Sequence, residues 1–124
     1  MTVAVLGASP KPERYAYKAF RMLQDHHHRV VPVHPTLKEL EGVPVSPSLD
    51  DITEEIHTLT VYVGPRFIGE EIDRIVRLKP GRVILNPGTE SPELMAALDQ
   101  AGIPYLKACT LVMLRTGQFD TSAA

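Results

Sequence analysis

Residues 2–14 read TVAVLGASPKPER, and this stretch decides the fold. Thr2 to Leu6 is an apolar, β-prone run without alternation, the pattern of a strand buried on both faces. Gly7 ends it. A helical period then runs from Arg14 to His26, with Ala16, Ala19, Phe20 and Leu23 recurring on one side. A buried strand, a glycine turn and an amphipathic helix make the first half of a βαβ unit.

The same alternation continues outward. Arg29 to His34 reads as a second strand stopped by Pro35, and Val43 to Val45 as a short edge strand. Asp50 or Asp51 is placed to cap a short helix through Ile56. Thr58 to Val63 reads as a strand closed by Gly64-Pro65, Phe67 to Leu78 as a helix stopped by Lys79-Pro80-Gly81. Arg82 to Leu85 is the next strand, turning at Asn86-Pro87-Gly88. Ser91 and Pro92 open a helix that Gly102 ends, Ile103 to Leu106 is the last strand, and Cys109 to Leu114 is an apolar segment of unassigned type.

Strands alternating with helices predict an α/β fold of Rossmann-like type, an open, mostly parallel sheet of about five strands with helices on both faces. In such sheets ligands sit at the carboxyl ends of the strands, where the strand order reverses. The loops beginning at Gly7, His34, Gly64 and Asn86 are therefore expected to share one edge and to build any site.

The chain has 124 residues, 44% of them hydrophobic and 23% charged, the balance of one soluble globular domain. We expect one domain over residues 1–119, with residues 120–124 as a frayed tail. A formal charge of -2 leaves no basic footprint for nucleic acid. No apolar run approaches a membrane span, and the N-terminus lacks the basic lead of a signal peptide. One cysteine, Cys109, permits no internal disulfide and fits a reducing compartment, so a cytoplasmic location is expected. Leu111, Val112, Met113 and Leu114 are expected in the core or at a dimer contact, and a homodimer is compatible with the sequence although no residue specifies one.

The first loop carries the clearest chemistry. Gly7 permits a tight turn and close approach of an anion. Ser9 adds a hydroxyl, and the amides after it, with the helix N-terminus, make a positive pole. Arg14 and Lys18 stand four apart, so they can present two cations on one helical face. A dinucleotide fingerprint would need glycines at Ser9 and Pro12, and an NAD site would need a carboxylate where His34-Pro35 ends the second strand. A Gly7→Val change is expected to block phosphate approach, leaving the fold intact if the turn accepts a negative φ.

Four segments together resemble a known family: VAVLGASPKPERY (3–15), VVPVHP (30–35), VILNPGTE (83–90) and ACTLVMLRTGQF (108–119). In this order they look like the small CoA-binding domain family, related to the nucleotide-binding domain of the succinyl-CoA synthetase α subunit. The resemblance implies that Gly7, Ala8 and Ser9 cradle the phosphates of coenzyme A or an acyl-CoA. It implies that Val33, His34 and Pro35 lie along the adenosine, with Lys38 suited to a phosphate. It also implies that Asn86, Pro87 and Gly88 approach the pantetheine end. Relatives more often carry a small polar residue at the position of His34. CoA bears a pyrophosphate and a separate ribose 3′-phosphate, so it calls for an anion loop plus distinct cations, for which Arg14, Lys18 and Lys38 are candidates.

No metal site is expected. His26, His27 and His28 are consecutive and point in different directions, and His57 is expected at the surface. Cys109 is the one candidate catalytic residue, a thiol for acyl or thiol transfer, although buried free cysteine is the commoner fate. The synthetase relatives need a second domain that 124 residues do not supply. A stand-alone CoA-binding module is therefore the favoured expectation. A CoA-dependent enzyme using Cys109, and a module for NAD or another nucleotide, remain the alternatives.

Overall fold

The computed structural model describes residues 1–120. Five strands form one parallel sheet in the spatial order β2-β1-β5-β6-β7. They are β1 (Thr2–Leu6), β2 (Arg29–Val33), β5 (Thr58–Val61), β6 (Arg82–Leu85) and β7 (Tyr105–Lys107). Between β2 and β5 lies a two-stranded antiparallel ribbon of β3 (Glu39–Leu40) and β4 (Val43–Pro44). The helices are α1 (Tyr15–Asp25), α2 (Ile72–Leu78), α3 (Pro92–Ala101) and α4 (Thr110–Arg115). No helix of the described residues is long and apolar enough to cross a membrane.

Strand alternation divides the core in two. Ala4 and Leu6 of β1 face one side with Leu59, Val61, Val83 and Leu85, packed with Ile75 of α2 and Leu94 and Leu98 of α3. Val3 and Val5 face the other with Ile84, packed with Phe20 and Leu23 of α1 and Met113 and Leu114 of α4. Both faces of β1 are thus covered, as its unbroken apolar run required. Pro32 is tolerated because β2 is an edge strand, and its carbonyl accepts the N–H of Ser46 at 2.9 Å.

The strand order reverses between β1 and β5. The chain leaves β1 through α1 to reach β2 on one side, and continues from β5 to β6 and β7 on the other. The carboxyl ends of β1 and β5 therefore flank the crevice where such sheets bind ligands.

Several local expectations are corrected. Residues 50–56 hold only a 3-10 turn at Leu49–Asp51, capped by Ser48, whose Oγ accepts the N–H of Asp50 at 3.2 Å. Asp50, expected as a cap, is engaged elsewhere, accepting from Arg77 at 2.9 and 3.2 Å; Glu54, within the segment expected to be helical, accepts from Arg29 at 2.6 and 2.9 Å. Val43 pairs with Leu40 in the ribbon, which meets the main sheet through a single Val33–Ser46 bridge. The segment from Phe67 begins as a 3-10 turn at Ile68–Glu71 and becomes α-helical only at Ile72. The last strand starts at Tyr105, not Ile103, and the unassigned segment after Cys109 is α4. Beyond Asp120, the tail expected at 120–124 lies outside the described residues.

Candidate functional site

Gly7 leaves β1 with φ +89°, a conformation that favours glycine, and starts the turn toward α1. The N–H groups of Gly7 and Ala8 both donate to the carbonyl of Val33, at 3.3 and 3.1 Å. These two amides lock the β1 turn to the end of β2, so they are not free donors for an anion. The Oγ of Ser9 accepts the N–H of Lys11 at 3.2 Å, leaving its own proton to donate.

The free positive pole lies a few residues on. The N-cap position of α1 is Arg14, with no side-chain cap and no acidic residue in the first turn. The first N–H groups of a helix have no intrahelical acceptor, and among the described residues no side chain caps them. A ligand anion would find both the unpaired donors and the helix dipole at this end.

This helix end opens on a cleft of about 720 Å³. Gly7, Ala8, Ser9 and Arg14 form one wall, Pro87 and Gly88 another, and His34 and Gly64 complete it. Among the described residues, Lys11 and Arg14 are its charged ones, and no carboxylate lines it. A second cleft of about 380 Å³ adjoins it and shares Gly7 and His34. Val33, Pro35, Ser48 and Phe67 line that cleft, together with the charged Glu70, Glu71 and Arg74. The residues expected from the first, second and fourth strand ends are thus brought to one edge.

Three expected residues stand apart. Lys18 lines neither cleft; its Nζ lies 5.4 Å from the ring centroid of Tyr15, which is at the mouth of the larger one. Lys38 is exposed and also lies outside both, its carbonyl accepting the N–H of Val45 at 3.0 Å. Asn86 is 2% exposed, and its side chain is turned inward. Its Nδ2 donates to Thr60 Oγ1 at 2.7 Å and to the Val61 carbonyl at 2.9 Å, and its Oδ1 accepts the N–H of Thr110 at 2.9 Å. Asn86 therefore braces the turn that presents Pro87 and Gly88 to the cleft.

The structure adds groups that the sequence reading missed. Lys11 joins Arg14 as the second cleft cation, though its place in the quoted loop was a signal within reach. Tyr62 lines the larger cleft, with its hydroxyl buried. Burial pushes this phenol up to about 12, against the moderating effect of the Thr110 and Thr60 hydroxyls. Those two hydroxyls bond to each other at 2.8 Å. Cys109 is half-buried at the N-cap of α4 and lines neither cleft.

A family model described as CoA binding domain matches residues 1–115. Over 60 residues the chain is 33% identical to the uncharacterized protein YneT of Bacillus subtilis (strain 168). That alignment covers 48% of this chain and 44% of YneT, less than half of the relative's length. A Thermus thermophilus protein of solved structure is 36% identical, with a TM-score of 0.87 over 95% of this chain and 90% of its own. The fold is also found in the dinucleotide-forming acetyl-coenzyme A synthetase 1 of Ca. Korarchaeum cryptofilum, solved in complex with phosphate and ADP. There the TM-score is 0.75 at 21% identity, over 86% of this chain and 25% of the synthetase chain.

Proposed function

The chain belongs to the CoA binding domain family, and from that premise we propose that it binds coenzyme A or an acyl-CoA across the two adjoining clefts. The observation that carries the reading is an uncapped α1 N-terminus opening on a cleft whose only charged residues among those described, Lys11 and Arg14, are cationic. The diphosphate takes the amides of the first helical turn, the Ser9 hydroxyl and these two cations. Gly7 and Ala8 serve by shape, keeping the turn small and fastened to β2. The adenosine lies along Val33, His34 and Pro35 in the smaller cleft, and the pantetheine arm runs in the larger one toward Pro87 and Gly88.

The function is binding, with delivery or sensing of the coenzyme as its use. Cys109 stands outside both clefts, which argues against acyl or thiol transfer through that residue. Cys109→Ser is expected to leave CoA affinity unchanged, and loss of acyl-CoA turnover in that variant would establish the enzymatic alternative.

Thermal melting with CoA, dephospho-CoA, NAD and ADP tests the reading. Ligand at 100 times its Kd stabilises the native state by about 2.7 kcal/mol. For a domain near this length that raises Tm by roughly 10 °C. CoA is expected to give this shift, and an equal or larger shift with NAD would replace CoA with a dinucleotide.

A further inference from the structure

The imidazole of His34 is held from two directions. Its Nδ1 accepts the N–H of Thr36 at 3.2 Å and the N–H of Leu37 at 3.0 Å. Its backbone N–H donates to the Ser46 carbonyl at 3.1 Å. A ring nitrogen that accepts two amide protons carries none of its own, so the proton of the neutral ring is on Nε2. No group among the described residues engages that Nε2. The register of β1 with β2 pairs Leu6 with Val33, which sets His34 beside Gly7, and these two residues are common to both clefts.

We propose that His34 is a specificity-determining residue whose Nε2–H donates a hydrogen bond to a phosphate oxygen of the bound coenzyme. The inference rests on the CoA reading above and deepens it. A donor whose tautomer and position are set before binding loses little freedom when it meets its acceptor. Two phosphate sources lie within this chemistry: the diphosphate crossing beside Gly7, and the ribose 3′-phosphate of the adenosine along β2.

His34→Asn separates this role from a merely structural one. The Asn carbonyl oxygen accepts the amide two residues on, as in an Asx turn, so the 34–37 turn is kept. The Asn Nδ2–H2 stays on the shorter side chain, short of the Nε2 position, so no donor is presented where the ring placed one. We expect the melting temperature of the free protein to stay near that of the native sequence while CoA affinity, measured by calorimetry, falls about tenfold. An equal fall for dephospho-CoA assigns the acceptor to the diphosphate; a fall confined to CoA assigns it to the 3′-phosphate.

In the unaltered protein, 15N-labelled histidine reports the tautomer directly. The His34 signals should show a protonated Nε2 and shift on addition of CoA. Native affinity in His34→Asn, or Nε2 signals indifferent to CoA, would overturn the inference while leaving the CoA reading intact. If the unaltered protein fails to bind CoA at all, both fall together.

Discussion

A Cβ placed on Gly7 would stand 3.2 Å from the carbonyl oxygen of Tyr62. The two residues are held together because β1 and β5 are parallel neighbours, and the Tyr62 N–H donates to the Leu6 carbonyl at 2.9 Å. The same Cβ would lie 3.1 Å from the Val63 side chain. Gly7 thus sits where a tight approach and a positive φ coincide, at the junction of the two clefts.

The Gly7→Val test is corrected by this geometry, since the turn does not run at negative φ. Even Gly7→Ala meets a left-handed backbone penalty of about 1–2 kcal/mol, before the crowding against Tyr62 is added. We expect its Tm to fall by roughly 5 °C or more, and the CoA-dependent shift to shrink with it. Thermal melting with and without CoA reads both effects, and a fully native Tm would refute the backbone argument.

Arg14→Gln is the cleaner probe of the anion site. Arg14 is exposed and lines the larger cleft, so its removal should leave stability within about 0.5 kcal/mol. Loss of a charge-assisted phosphate bond should weaken CoA binding about tenfold or more. The salt dependence of affinity should also become shallower. Unchanged affinity at low salt would move the phosphates away from the α1 terminus.

Asn86→Ala should act through the fold. It removes both Asn86 Nδ2 donations and leaves the Thr110 N–H without its acceptor in a buried site. Such losses cost about 2–4 kcal/mol. Denaturant titration should show this as a lowered midpoint. A variant as stable as the native chain that lost CoA binding would instead make Asn86 a direct ligand contact.

Stability should fall on mild acidification. The His28 side chain is 6% exposed, lies 5.1 Å from the Phe119 ring, and has Nε2 3.2 Å from an Asp120 carboxylate oxygen. Burial holds its imidazole below the ordinary 6.5, and burial with the nearby Arg82 charge does the same for His57. The unfolded chain therefore binds these protons more readily, and protonation favours unfolding. The contribution is whole above the unfolded value and drains away as pH falls from near 6.5 toward the folded values. Asp50 and Glu54 are lowered by Arg77 and Arg29, so their contribution is lost in a separate, more acidic window below 4.5. Melting at pH 7.5 and 5.5 should show a drop that is smaller in His28→Gln. An equal drop in that variant would exclude His28 as a source.

Much of this was legible locally. The unbroken apolar run of β1, the Ser91-Pro92 start and Gly102 end of α3, and the glycine at the β1 turn are dictated by neighbours within a few residues. Ser91 Oγ accepts the Leu94 N–H at 3.2 Å, and Gly102 takes φ +70°, as a cap and a stop require. Alternation of such units also determined which strand ends share an edge, because parallel crossovers return every strand in the same direction.

What only the tertiary structure decided are the destinations of side chains. Asn86 turns inward because Thr60 and Thr110, 26 and 24 residues away, meet it there. Lys11 rather than Lys18 or Lys38 lines the cleft, and Asp50 leaves its expected helix for arginines on α2. His34 presents a fixed tautomer because the chain folds back over its own ring. Hydrogen-bond partners distant in sequence are chosen by packing, so no local pattern of residues could have encoded them.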